Sequence, residues 1–167
     1  MVQNNRTVVI LVTLIVAVIF QFIFVFVDGR DTPVKAAIEF SKDYFLLEET
    51  MADRLCSELS MDDDNNLAKE VITAATTEAH LRGFGLGMVR RSLSHIEAEV
   101  INEEEEKAEV KLSAASRVCI NPVFAWVADL FNLGETKHEE AILSLVKEDD
   151  GWKVCGTPYF KTLTAEI

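Results

Sequence analysis

Three regimes of apolar spacing divide the chain. From Val8 to Val27 the sequence reads VVILVTLIVAVIFQFIFVFV, twenty residues with no charge and only Thr13 and Gln21 as polar interruptions. From Ala37 onward, Phe40, Tyr44, Leu47, Met51 and Leu55 recur at threes and fours, which predicts one apolar face of a long helix ending near Leu59. Thr32-Pro33 supplies its start, with Thr as N-cap and Pro at the first helical position. After the acidic stretch Met61 to Asn66, the residues Leu67, Val71, Ala75 and Ala79 predict a second helix that stops at Gly83.

Beyond Gly83-Phe-Gly-Leu-Gly87 the period falls to two. His95 to Asn102 places Ile96, Ala98 and Val100 on one face, and Lys107 to Ala114 does the same with Ala108, Val110, Leu112 and Ala114. With the solvated turn Asn102 to Glu106 between them, they predict an antiparallel hairpin. A second hairpin is predicted from Glu140 to Lys147 and from Trp152 to Thr157, turning at Glu148-Asp-Asp-Gly151. Helices first and a meander afterward give an α+β class, with helices covering one face of a four-stranded or larger antiparallel sheet.

The uniform apolar run has a further meaning. At about 1.5 Å per residue it matches the roughly 30 Å hydrocarbon core of a bilayer. A cleaved secretory signal needs a shorter apolar core and a small-x-small cleavage site, whereas this run ends in Phe-Val-Phe-Val followed by Asp28-Gly29-Arg30-Asp31. The expected organisation is therefore a short cytoplasmic tail at 1–7, a transmembrane helix at 8–27, a linker at 28–31, an α+β domain at 32–160 and a tail at 161–167. A short tail before a long domain suits a single-pass, N-in anchor in the cell membrane. The domain is then expected outside the cytoplasm, in a bacterium the periplasm.

Charge narrows the partners. The chain carries 28 acidic and 16 basic residues for a net −12, and only Arg6 lies within the first 27 residues, so the remainder stands at −13. Such a surface repels nucleic-acid phosphates and anionic headgroups, so neither nucleic-acid binding nor peripheral adhesion is expected, and the anchor alone is expected to hold the protein at the membrane. Cys56, Cys119 and Cys155 form no Cys-x-x-Cys pair, which argues against zinc ribbons, thioredoxin-type redox pairs and c-type haem. One disulfide plus a free thiol, or three small buried hydrophobes, both fit, and the second is the expectation carried forward.

The pattern of Thr32-Pro33 opening a helix with Ala36-Ala37 and Phe40, a second helix ending near Gly83-Phe84, the strand Lys107-Ala-Glu-Val-Lys-Leu112 and a closing Lys147-Glu-Asp-Asp-Gly-Trp-Lys-Val154 resembles the nuclear transport factor 2-like superfamily. That superfamily includes ketosteroid isomerase-like and SnoaL-like proteins. The resemblance implies a cone-shaped α+β domain over residues 32 to 160. Its enzymes work inside the cone with a carboxylate or histidine base opposite a tyrosine or acid that stabilises an oxyanion.

The expected inward positions here are Ile96, Ala98, Val100, Ala108, Val110, Leu112, Trp152 and Val154, none of which transfers a proton, so no catalytic residue is assigned. Tyr44 from the helix and Trp152 from the sheet are the candidate pocket residues.

The remaining motifs carry less. His80, His95 and His138 share no i, i+3 or i, i+4 spacing and are expected to be solvated or hydrogen-bonded rather than metal ligands. Asp62-Asp-Asp-Asn-Asn66 lacks the ligand order of a calcium loop. Gly83-x-Gly-x-Gly87 follows a helix and is neither a P-loop nor a dinucleotide fingerprint, and Arg90-Arg91 is expected to pair with carboxylates.

The segment Pro122 to Leu133 holds Phe124, Trp126, Val127, Leu130 and Phe131, and aromatic side chains are enriched where proteins meet. These five are the expected partner-binding residues. The functional expectation is a non-catalytic accessory or scaffold subunit of a membrane protein complex, without a cofactor. The alternative is a protein or enzyme holding a small apolar ligand in the cone.

Overall fold

A computed structural model describes residues 9–21, 31–60, 66–119, 136–156 and 160–163. The chain divides into two units, 1–31 and Thr32 onward.

In the first unit, residues 9–21 form helix α1. Ten of its side chains, from Val9 to Phe20, are large and apolar, and each is between 45 and 63% exposed. Its one interior hydroxyl is satisfied locally, since Thr13 Oγ1 donates to the Val9 carbonyl at 2.9 Å. Among the described residues no helix is long and apolar enough to cross a membrane. The flanks of the expected span, at 8 and 22–27, lie outside the described residues.

The second unit opens as the sequence predicts. Helix α2 (Pro33–Leu46) has Thr32 as N-cap, whose hydroxyl accepts from Lys35 N at 3.2 Å, and Pro33 in the first turn. The helix does not run on to Leu59. Leu47 takes a left-handed φ of 54°, and the bonds Glu48 N to Asp43 O and Leu47 N to Tyr44 O close the last turn. This is the Schellman arrangement, normally built on glycine.

The apolar period continues past the break because a 3₁₀ helix, Glu49–Arg54, and a one-turn α3 (Ser57–Ser60) still present Met51 and Leu55 to the same core. Helix α4 (Leu67–Leu81) is capped by Asn66, whose side chain accepts from Ala68 N at 2.9 Å. It stops at Gly83, φ 75°.

The sheet is antiparallel, in the order β1 (Arg91–Glu103), β2 (Lys107–Val118), β3 (Lys137–Glu148), β4 (Gly151–Val154). A fifth strand, β5 (Lys161–Leu163), pairs with the start of β3 and so lies inside the stretch expected to be a tail. Helix α2 lies against β1, β2, β3 and β4. Phe40, Val110, Leu143 and Leu145, each 1% exposed or less, lie at the centre of the core between helix and sheet.

Strand β1 is irregular, with register shifts between Ser94 and Glu97 and between Val100 and Asn102. His95 sits in the first at φ 50°. Bulges re-aim side chains and break strict alternation. Ile96 and Ala98 are consequently only half-buried and Val100 is 36% exposed, so β1 contributes less to the interior than its pattern predicts.

Segment 53–57 is fastened along β4. Leu55 and Val154 form a parallel bridge, and Cys56 N donates to the Val154 carbonyl at 3.0 Å. Cys56 and Cys155 are disulfide-bonded, which corrects the expectation of three unbridged thiols. The pairing crosses from the 3₁₀ region to the residue after β4, elements that a helix running on to Leu59 would have kept from meeting in this way. Lys153, 9% exposed, donates to the Asp53 carbonyl and pairs with Asp150, both at 2.6 Å. Ser57 N and Oγ each donate to the Glu148 carboxylate at 2.9 Å.

Candidate functional site: a polar cluster on the covered face of the sheet

Period-two alternation decides which strand residues point inward. In β2, Ala108, Val110, Leu112, Ala114 and Ser116 are buried in sequence. In β3, Glu139, Ala141, Leu143 and Leu145 are. Two polar residues therefore sit at one end of otherwise apolar rows. Ser116 is fully buried and Glu139 is 4% exposed.

They meet across the β2–β3 ladder, with Ser116 Oγ donating to Glu139 Oε1 at 2.9 Å. Arg91, at the start of β1, donates from Nε to Ser116 Oγ at 3.0 Å and from Nη2 to the Ser116 carbonyl at 3.2 Å. A buried carboxylate, a hydroxyl and a guanidinium are thus chained together. Burying such groups is costly unless they are hydrogen-bonded, and here they are.

Glu139 corrects the expectation that no inward position carries a proton-transferring group. Starting the third strand at Glu140 cut it short. Lys137 begins it, and Glu139 is in phase with Ala141, Leu143 and Leu145. The same extension from Ala114 reaches Ser116. The signal was available in the sequence as the alternation carried two residues further.

Among the described residues neither Arg90 nor Arg91 pairs with a carboxylate, contrary to expectation. Arg91 is taken up by Ser116, while Arg90 has its Nε buried without a hydrogen-bond partner. Arg54 does pair with a carboxylate, its Nε donating to Glu39 at 2.9 Å.

Tyr44 packs against Phe160 with ring centroids 4.9 Å apart, and Phe45 meets the same ring at 4.8 Å. Burial raises the Tyr44 phenol above its ordinary value of 10.0. Trp152 is a buried member of the core against which Tyr44 packs. A groove of about 670 Å³ runs along α4 past Lys69, Thr73, Thr77 and Leu81.

The expected partner-binding residues Phe124, Trp126, Val127, Leu130 and Phe131 lie outside the described residues. The three histidines are exposed. Cys56, Glu58 and Cys155 bring three ligand-type atoms within 4.8 Å of one another, but the two sulfurs are bonded to each other and so are not available to a metal.

Compared with known proteins, the chain matches no family model, no curated protein and no solved structure.

Proposed function

We propose that this chain is a membrane-tethered accessory subunit whose α+β domain docks with other subunits outside the cytoplasm and performs no catalysis. The observation that carries this reading is α1. Apart from Thr13 and Gln21 its side chains are apolar and all are exposed, which in water forgoes roughly 25 cal/mol for every Å² left uncovered. A helix hydrophobic on every side belongs in a larger core or in lipid, and only Arg6 carries charge within the first 27 residues. The disulfide supports the side of the membrane, because such bonds persist in oxidising compartments outside the cytosol.

The helices packed on one face of an antiparallel meander are the order expected of a nuclear transport factor 2-like domain, and that family reading remains part of the proposal. The aromatic segment from Phe124 to Phe131 is the proposed partner contact. A second reading, a small ligand held inside the domain, is favoured by the Arg91, Ser116 and Glu139 cluster, which would give an otherwise apolar ligand one polar contact.

Carbonate extraction of native membranes, followed by labelling of a Glu104→Cys variant in intact cells, tests the proposal. Glu104 is exposed in the β1–β2 turn. Retention in the membrane with labelling of intact cells, and a stoichiometric partner in mild detergent, supports the docking subunit. Release by carbonate, or labelling only after lysis, overturns the anchor or the topology respectively. A lone protein carrying a bound metabolite moves the function to the second reading.

A further inference from the structure

The end of α4 and the loop after it combine exposed apolar side chains with basic ones. Leu81 is 83% exposed, Phe84 49% and Met88 63%, three large apolar side chains within eight residues. Gly83, at φ 75°, turns the chain out of the helix, with Phe84 N donating to the Ala79 carbonyl and Gly83 N to that of His80. Between Glu78 and Glu97 the sequence holds Arg82, Arg90 and Arg91 and no acidic residue, in a chain that otherwise carries 28 acids.

Arg82 is matched only by Glu78, in a pair whose side chains are 67 and 61% exposed, so it exchanges readily for another anion. Arg90 has its Nε buried and unpaired.

We infer that this loop is a second membrane contact, a tip that sets its apolar side chains among the acyl chains of a bilayer containing anionic lipid while Arg82 and Arg90 meet the headgroup phosphates. The inference rests on the anchor reading only for proximity, since a tether keeps the loop near a bilayer. The net charge of the domain does not forbid it. Screening confines electrostatics to about 10 Å at ordinary ionic strength, so a surface feels the local cations rather than distant carboxylates. Apolar side chains beside basic ones are the combination that binds membrane interfaces.

The test uses the full chain reconstituted in vesicles of phosphatidylcholine with a minority of phosphatidylglycerol, with acyl-chain-brominated lipid as quencher. A Phe84→Trp variant is compared with the unmodified chain, so that the native Trp126 and Trp152 are subtracted. The expected result is a severalfold loss of the added emission, relieved when phosphatidylglycerol is left out and when Leu81→Ser and Met88→Ser are introduced together.

Added emission that is unquenched in a chain that floats with the vesicles and resists carbonate overturns the tip while leaving the anchor intact. Quenching that persists without phosphatidylglycerol and with both serines also overturns it. A chain that carbonate strips from the vesicles, yet whose added emission is quenched beforehand, upholds the tip and overturns the anchor. A chain that does not float at all overturns both.

Discussion

Cys56 and Cys155, 99 residues apart in sequence, are joined beside the parallel bridge of Leu55 and Val154. The covalent bond therefore fastens the segment after α2 to the end of the β3–β4 hairpin at a point where backbone pairing already holds them. Cross-linking a loop of this length removes a large share of the freedom of the unfolded chain, worth about 4.7 kcal/mol in the chain-entropy picture and typically 2–4 kcal/mol when measured.

Reduction, or Cys56→Ser with Cys155→Ser, is expected to lower the free energy of unfolding by about 2–4 kcal/mol. Urea unfolding in lipid nanodiscs with and without reductant measures it. A change too small to resolve would show that the backbone pairing alone fixes this contact.

Ser116 stands between Glu139 and Arg91, donating to the carboxylate and accepting from the guanidinium. Ser116→Ala leaves a buried carboxylate short of one donor and a guanidinium short of one acceptor, which costs about 1–3 kcal/mol. Combined with Glu139→Gln in a double-mutant cycle, the two changes should couple by about 0.5–3 kcal/mol. Additive losses in urea unfolding would mean that the cluster is held mainly by its other contacts.

How much was legible follows from what each signal encodes. Thr32-Pro33 and Gly83 are local chemistry, and both helix ends fall where that chemistry puts them. The break at Leu47 was invisible because leucine is not a residue that signals a left-handed turn, and the apolar period it interrupts continues through the 3₁₀ helix. Glu139 was missed because a polar residue at a strand end reads as loop until the alternation is carried through it. The disulfide depends on which elements come together, and spacing along the chain holds no record of that. The bulges of β1 dilute a pattern that looked regular on paper, which explains why Val100 is more exposed than its neighbours predicted.

Tyr44 ties part of the stability to alkaline pH. Burial raises its folded value above 10.0, so the neutral phenol is favoured in the folded state. Stability from this source is fully present below the unfolded value near 10 and is lost as pH rises through the folded one. Tyr44→Phe should flatten the alkaline limb of a stability profile while leaving the neutral plateau nearly unchanged. Phenolate absorbance, taken as the difference between the parent and the variant, should titrate above the ordinary range. Titration at an ordinary value would remove the linkage.

Two helix ends in this domain are closed by the same pair of hydrogen bonds on different residues, which gives opposite expectations for substitution. At Gly83 an added Cβ meets nothing within 4 Å, so the cost of Gly83→Ala is conformational alone, about 1 kcal/mol for a left-handed position at φ 75°. At Leu47 the residue already bears that strain and keeps its place because its side chain is 8% exposed. Leu47→Gly relieves about 1 kcal/mol of backbone strain but forfeits about 2–3 kcal/mol of burial, for a net loss of about 1–2 kcal/mol. Leu47→Ala keeps the strain and loses most of the burial, so it should be the more damaging of the two. Urea unfolding of the three variants orders them, with Leu47→Ala lowest in stability and Leu47→Gly above it. The reverse order at position 47 would show that the left-handed backbone carries little strain there, and that what remains of the side-chain burial matters more.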